Sequence, residues 1–528
     1  MLIRMVLVAV CCAVACRHFV HMLQLESYQL PGYRRWMSRN RDRLLKNCVL
    51  VGLGGAILSW YLPVFFALFI NERARRENVA NWVMLALFVV VTAVLAVMDL
   101  RAPAKKPLVF TRRVRRLYMA IALLCLAGSA VLSVLSLPPY LLYAANAYIV
   151  MGAAAAMQPV ENRINHQFFE RARKKLETRP DLIKIGITGS YGKTSTKFVL
   201  RDILSQKYRV LATPASFNTP MGLSRVINEQ LKPEHQIFIA EMGARHVGDI
   251  KELCELVHPK YGLLTSVGPQ HLETFGSIEN IAGTKYELIE ALPEDGIAFF
   301  SSDGSYVDRL FARCEREKYR VGFNPDRQPY MLATDIEVGP QGSRFTLKCA
   351  DGTTMRCRTR LLGKHNIQNI ALCAAVAHKL GLSMEEIARG VRVIEPIEHR
   401  LQLIPGVMTV IDDAFNSNPA GSQEALNVLS GFSGRRIIVT PGMVEQGDKE
   451  DELNYAFGTQ MVNCVDVAIL VGPKHTKPIL QGLVDSGFSR DDIHVVSELD
   501  EASALLRVIG KPGDTVLFEN DLPDNYTE

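Results

Sequence analysis

Five apolar runs in the first 160 residues limit what this chain can fold into more than any other feature. They lie at about 2–22, 48–70, 79–99, 117–137 and 139–160, each near the ~20 residues that a helix needs to cross a hydrocarbon core. Lipid offers no partner to a backbone N–H or C=O, so such runs must close their hydrogen bonds within themselves as helices. The second run holds Gly52, Gly54, Gly55 and Pro63, which spanning helices tolerate. The first lacks a small-residue cleavage site and is followed by further runs, so it is expected to be retained rather than removed as a signal peptide. The last is alanine-rich from Ala153 to Ala156 and is open to either a spanning or an interfacial reading.

Charge orients the set. Segment 24–46 carries Arg34, Arg35, Arg39, Arg41, Arg43 and Lys46, and segment 100–116 carries seven Lys and Arg; between them, 71–78 has three arginines offset by two glutamates. The positive-inside rule places the two basic loops in the cytoplasm, and with Pro138–Pro139 as an outer turn the fifth run returns inward. The soluble remainder then begins on the cytoplasmic side of the inner membrane. Arg163, Arg171, Arg173, Lys174 and Lys175 either contact anionic lipid headgroups or only fix topology. The net charge of +6 is thus accounted for by membrane flanks; basic–aromatic interleaving is missing, so nucleic acid is not an expected partner. Eleven cysteines form no C-x-x-C pair, which argues for reduced thiols rather than a zinc site or disulfide framework.

The second informative stretch is "LIKIGITGSYGKTSTKFVL", which reads as strand, glycine turn and helix. Gly189 and Gly192 let backbone N–H groups approach phosphate, Lys193 can reach the β/γ-phosphates, and the Thr194 hydroxyl can bind Mg²⁺. The strict G-x-x-x-x-G-K-[ST] pattern fails at Ile187, so the strand–turn–helix context carries the reading. Further on, "QIFIAEMGARH" ends an apolar strand in Glu241, where a carboxylate suits a metal bridging nucleotide phosphates. His271 follows another apolar strand, and Lys285 sits among apolar residues of "IAGTKYELIEAL". Taken singly, a lone histidine is more often structural and such a lysine more often snorkels.

In order and spacing, these stretches resemble the Mur ligase family, which couples ATP cleavage to amide-bond formation in cell-wall precursors. "TGSYGKTS" is similar to the family's phosphate loop, and "NTPMGL" (218–223) to the segment after its second strand. "EMGARHVGDI", "HLETFGS", "KYELI" and "PGMVEQG" (441–447) are closest to the branch that adds D-alanyl-D-alanine. "GKHNIQNIALCAA" (363–375), "HR" (399–400) and "IDDAFNSNPAGSQEAL" (411–426) resemble the later motifs. The likeness covers about residues 182–520. It implies that Gly189, Ser190, Gly192, Lys193, Thr194 and Ser195 cradle ATP. Thr194 and Glu241 would bind one Mg²⁺, and His271 would bind a second with the help of a CO₂-derived carbamate on Lys285. Asn366 would contact base or ribose. Arg400 and Asp413 would reach ATP from the C-terminal side, and Asn218, Thr219, Asn416 and Asn418 would face the substrates. Lys193, Lys285, His271, Arg400 and Asp413 form the implied catalytic set.

The chain also departs from the family. Spans stand where a UDP-sugar domain is expected, Ser301 or Ser302 replaces an asparagine, and "GDTVLFENDLPDNYTE" lacks a Lys-Gly-Ser ending. The expected architecture is a transmembrane helical domain of about five helices (1–160), a basic linker (161–180), a central P-loop α/β domain (181–400) with a β-rich insertion near 330–362, and a C-terminal Rossmann-like α/β domain (401–528). The leading function is a membrane-bound ATP-dependent amide ligase acting through an acyl phosphate, with D-alanyl-D-alanine addition to a muropeptide as its first form. Ligation of an amino acid or amine to another carboxylated envelope polymer or lipid-linked precursor is a second form. An inactive ATP-binding scaffold is a rival, and a transport ATPase is the last, since the spans hold almost no polar residues. Oligomeric state is left open.

Overall fold

A computed structural model describes residues 2–41, 48–101, 106–215, 217–270, 272–302, 305–339, 341–414, 418–444, 446 and 449–521. The chain divides into two units, residues 1–165 and 166–522.

In the first unit the apolar runs are helical. Four stretches are long and apolar enough to cross a membrane: Leu2–Leu25, Arg73–Arg101, Arg112–Val134 and Pro139–Glu177. Leu2–Leu25 is jointed at Cys16, between the helices Leu2–Ala15 and Arg17–Leu25. The remaining run forms a helix of 17 residues, Leu50–Phe66. At 1.5 Å per residue that is about 26 Å, the short end of a spanning length. Polar contacts pair residues at like ends of neighbouring helices. Arg4 donates to Asn81, and the Ser129 hydroxyl donates to the Met5 carbonyl at 3.1 Å. At the other end Arg17 pairs with Asp99, His21 Nε2 lies 2.7 Å from the Lys106 carbonyl, and Arg116 grips Glu161 with two bonds of 2.7 and 2.8 Å. An apolar core that includes Val8, Phe88, Ile121 and Val150 lies between.

The fifth run begins as a 3₁₀ turn, Pro139–Ala145, and becomes one helix, Asn146–Glu177. Residues 161–177, expected as a basic linker, therefore continue a helix: the run 161–177 holds no glycine or proline, so nothing stops the turn-on-turn hydrogen bonding.

The second unit contains two sheets. Strands β1 (Ile183–Thr188), β2 (Val210–Ala212), β3 (Ile237–Glu241), β4 (Tyr261–Leu264), β5 (Ile297–Ser301), β6 (Glu317–Gly322), β7 (Met331–Gly339), β8 (Gly342–Cys349) and β9 (Thr354–Thr359) form the first. Its order is β2-β3-β1-β4-β5-β6-β7-β8-β9, parallel from β2 to β7. The alternating stretch 330–362 supplies the antiparallel meander β7-β8-β9. Helices cover both faces of the parallel part, so β3 is buried along its whole length. The second sheet holds β10 (Gln402–Ile404), β11 (Thr409–Asp413), β12 (Arg436–Thr440), β13 (Val467–Val471), β14 (Ile493–Val496) and β15 (Thr515–Glu519), in the order β10-β11-β15-β12-β13-β14. Only β10 runs antiparallel to its neighbour. In the first sheet β1 lies between β3 and β4, so connections leave it to both sides; this switch point is where open α/β sheets bind ligands.

Candidate active site

The loop after β1 is held open by its own backbone. Gly189 and Gly192 have φ of +149° and +81°, and a Cβ on Gly189 would stand 2.0 Å from the Thr265 hydroxyl. No other residue fits there. The loop is latched to the segment after β4: Ser190 N–H donates to the Ser266 carbonyl at 2.8 Å, and Gly268 N–H donates to Ser190 Oγ at 3.0 Å. Helix Lys193–Leu204 then begins with its N–H groups facing the loop. Lys193 folds over it and donates to the carbonyls of Gly189 and Ser190 at 2.6 and 2.8 Å. Burial pulls its pKa down to about 8, helped by the charge of Arg400 and opposed by Glu241. Ser195 is buried on the first turn of the same helix.

Glu241, at the carboxyl end of β3, is 1% exposed and fully engaged. Its Oε1 accepts from Thr194 Oγ1 at 3.0 Å and from Asn218 Nδ2 at 3.2 Å; its Oε2 accepts from Lys197 Nζ at 2.8 Å. Octahedral Mg²⁺, with oxygens at ~2.1 Å, sets adjacent ligands about 3.0 Å apart. Thr194 Oγ1 and Glu241 Oε1 already stand at that separation, so this pair fits as two neighbouring ligands of one Mg²⁺. Asn218 thus belongs to the carboxylate's surroundings.

Lys285 lies on helix Ile278–Glu290, is 2% exposed, and has its Nζ 5.7 Å from the centre of the Phe275 ring. Burial is the main force on it, the Lys193 charge adds to it, and together they bring its pKa down to about 7. His271 and Asn416 lie outside the described residues.

The second sheet presents its carboxyl edge to the same site. Asp413 and Glu519 are register partners at the ends of β11 and β15. Glu519 is clamped by the hydroxyls of Ser422 and Thr440, both at 2.7 Å. Burial and the neighbouring Glu519 push Asp413 up to about 7, against the Leu401 N–H and Arg400. Arg400 sits between two anchored neighbours: His399 Nδ1 lies 2.8 Å from Asp412 Oδ2, and Leu401 N–H donates to Asp413 Oδ1 at 3.0 Å. His399 and Leu401 both hold positive φ, of 60° and 48°, a strained turn that aims the residue between them. Burial lowers the Arg400 pKa, while Glu241 from the first sheet and Asp413 from the second oppose that shift. One guanidinium therefore reads both sheets.

Three of the expected contact residues also have partners within the fold. Thr219 and Asn418 are helix N-caps: Thr219 Oγ1 accepts from Gly222 N–H at 3.2 Å and Asn418 Oδ1 from Gly421 N–H at 3.0 Å. Each precedes a proline at the first helical position, a capping pattern in its own right. Asn366 is buried with its amide donating to the Leu362 carbonyl at 2.8 Å. The asparagine one turn on, Asn369, is the one that reaches the phosphate loop, 3.1 Å from where a Cβ on Gly192 would stand. Lys197, Asn369 and Glu519 were not singled out from sequence; the first two lie one turn after Lys193 and near Asn366 respectively, and that spacing was their only signal.

A second side-chain cluster lies elsewhere. Cys349 Sγ is 3.6 Å from His378 Nδ1, and Asp351 Oδ2 is 3.5 Å from His378 Nε2. The two side chains approach opposite ring nitrogens, and the Tyr330 hydroxyl bonds Nδ1 at 2.8 Å, so the group ties the start of β7 and the end of β8 to the end of helix Lys364–Lys379.

Comparison with known proteins covers this unit. The Mur ligase middle domain model matches residues 187–377 and the Mur ligase, glutamate ligase domain model matches 399–519. UDP-N-acetylmuramoyl-tripeptide–D-alanyl-D-alanine ligase of Bacillus subtilis is 29% identical over 342 residues, 63% of this chain and 72% of the relative. The same ligase of Mycobacterium tuberculosis is 33% identical over 366 residues, 63% and 69%. Among solved structures, MurF of Acinetobacter baumannii superposes with a TM-score of 0.62 at 26% identity, covering 68% of this chain and 77% of that one. MurF ligase of Thermotoga maritima in complex with ADP gives 0.61 at 25%, covering 68% and 80%.

Proposed function

The chain belongs to the Mur ligase family of ATP-dependent amide ligases, and from that premise we propose that it joins D-alanyl-D-alanine to the terminal carboxylate of a muropeptide at the cytoplasmic face of the membrane. The observation that carries this reading is the convergence of a phosphate loop, a carboxylate–hydroxyl pair of Mg²⁺ dimensions and a two-sheet arginine.

A carboxylate does not accept an amine directly. Transfer of the γ-phosphoryl group converts it to an acyl phosphate, the amine attacks the acyl carbon, and phosphate leaves. Lys193 releases the loop carbonyls to meet the β/γ-phosphates. Thr194 and Glu241 would hold Mg²⁺, which would supply positive charge to offset that of the phosphates. Arg400 stabilises charge from the opposite side once the two sheets close on the nucleotide. Lys285, with a pKa near neutrality, would react with CO₂ as the free amine and lose a proton to solvent, and the carbamate would help His271 hold a second Mg²⁺. Asp413 and Glu519 form an acidic edge that receives the ammonium form of the amine before it is deprotonated for attack.

The same edge favours a second reading within the family. Glu519 is acidic, buried and clamped, so the acceptor is recognised by its amino group, and an amine other than D-alanyl-D-alanine fits as well. The membrane location rests on the four long apolar helices and on their end-to-end polar pairing. It makes a lipid-linked muropeptide the alternative to the soluble UDP-linked one.

The test is phosphate release from ATP by the detergent-purified chain, with D-alanyl-D-alanine and other amines offered against UDP-linked and lipid-linked muropeptides. Release requiring D-alanyl-D-alanine and one muropeptide is expected. Release with another amine alone moves the reading to a different envelope polymer, and ATP binding without release under any pair supports a scaffold.

A further inference from the structure

The two oxygens of Glu241 do different work. Oε1 faces Thr194 and Asn218, while Oε2 is taken by Lys197. Lys197 follows Lys193 by one helical turn, so the two ammonium groups leave the same face of helix Lys193–Leu204. Lys193 turns back over the phosphate loop, and Lys197 turns toward the end of β3. Lys197 is 0% exposed, and lysines are almost never fully buried unless paired. Among the described residues its one carboxylate partner is the one that fits Mg²⁺. A second bond, to the Ala215 carbonyl, ties the ammonium to a segment that also supplies Thr213 and Asn218. The Thr213 hydroxyl accepts from Glu241 N–H at 3.3 Å, so this segment fixes both the backbone and the side chain of the carboxylate.

We propose that Lys197 is a positioning residue that holds Glu241 Oε2, so that Oε1 stays beside Thr194 Oγ1 as a preformed half of the Mg²⁺ site. The inference rests on the Mg²⁺ role given above to Thr194 and Glu241. Without the Lys197 bond nothing fixes Oε2, the carboxylate is held only through Oε1, and the 3.0 Å spacing of the two ligand oxygens is less tightly set. Groups behind a metal ligand typically change metal affinity by about 10–100-fold when removed.

The experiment measures ADP binding to the detergent-purified full chain by calorimetry, with and without Mg²⁺, for wild type, Thr194→Ala, Lys197→Met and Lys197→Arg. Thr194→Ala is expected to raise the Mg²⁺ concentration for half-maximal enhancement at least tenfold. Both Lys197 variants are expected to raise it about tenfold while metal-free ADP affinity stays within twofold of wild type. Should Lys197→Met fail to fold, Lys197→Arg decides, since it keeps the charge and moves the donor. A folded Lys197→Arg with the wild-type Mg²⁺ midpoint, alongside a shifted Thr194→Ala, refutes the Lys197 inference alone. A parallel loss of metal-free ADP affinity also refutes it, because that marks a merely structural ion pair. An unshifted Thr194→Ala overturns the Mg²⁺ site itself.

Discussion

The Lys285 amine offers the sharpest test of the site's chemistry. Carbamate formation needs the neutral amine, because the nitrogen lone pair attacks CO₂. A lysine at its ordinary pKa of 10.5 is about 3 parts in 10⁴ neutral at pH 7, whereas one at about 7 is about half neutral. Burial, with the Lys193 charge as a smaller contribution, thus raises the reactive fraction by about three orders of magnitude. The sign is fixed by the direction of the shift. The neutral form dominates above pH 7 and falls tenfold for each unit below it, so carbamate is lost on acidification and not on alkalinisation. Attack on CO₂ also releases a proton, so at constant dissolved ¹³CO₂, ¹³C NMR of the purified chain should show a carbamate resonance that grows from about pH 6 to about pH 8 and vanishes in Lys285→Ala. ATP turnover of that variant should be partly restored by formate or acetate, which bring a carboxylate into the vacated space. A resonance that grows only near pH 10, or one that persists in Lys285→Ala, refutes the reasoning.

Lys193→Ala should lower ATP-dependent phosphate release by about 10²–10³ while leaving detergent extraction and elution unchanged, because it removes one preorganised cation from the transferring phosphates. Full activity would sink the loop assignment. Asp413 has a folded pKa raised to about 7 against about 3.9 unfolded, so the cost of its charge grows as pH rises between those two values and is complete above pH 7. Asp413→Asn should therefore melt higher than wild type at pH 8, by a smaller margin at pH 5 and alike below about pH 4, and should be slow at pH 8 and pH 5; a lower melting temperature at pH 8 contradicts the burial argument. In the first unit, Arg116→Ala leaves buried Glu161 with Arg113 at 3.8 Å and should cost about 1–3 kcal/mol, seen as a lower melting temperature in detergent. The double variant Arg116→Met/Glu161→Gln should recover most of it. For topology, a cysteine at Arg75 should react with an impermeant maleimide on intact cells and one at Arg112 only after permeabilisation; the reverse pattern inverts the orientation.

Much of this was legible because the signals are long or dense. A run of twenty apolar residues admits few alternatives, and a glycine turn between an apolar strand and a Lys-Thr pair fixes both backbone and chemistry. The alternation over 330–362 became a real meander for the same reason. The polar contacts were harder. Thr219 and Asn418 carry two meanings in one pattern, and Asn-Thr-Pro or Ser-Asn-Pro caps a helix whether or not a substrate is near. Lys197 looks like any helical surface lysine until β3 is packed against that face and its end carboxylate is seen. Glu519 gains its place beside Asp413 only through the β11–β15 register, a pairing between distant segments that no local pattern encodes. The helix 146–177 runs through the change from apolar to basic composition near residue 160, so a boundary drawn on composition does not mark the end of an element there.

The distribution of charge explains why one site takes two chemically opposite reactants. On the first sheet's side, Lys193 and Lys197 both face Glu241, which Lys197 already occupies, while Lys285 is buried and feels Asp249 and Glu287 only weakly against that burial. Lys193 and Lys285 are left under-compensated, and both are shifted toward neutrality. On the second sheet's side Asp413 and Glu519 stand together, and Asp413 is shifted toward neutrality as well. Each half is therefore short of the opposite charge: the first calls for a polyanion such as nucleotide phosphate, and the second for a cation such as an ammonium group. A bound polyanion raises the Lys193 pKa and a bound ammonium lowers that of Asp413, a gain that neither ligand obtains from the other half. Arg400, which feels Glu241 on one sheet and Asp413 on the other, sits where those two gains meet. Filling one half changes the field at the other through that guanidinium, so nucleotide and amine should bind with linked affinities even though no atom of one need touch the other.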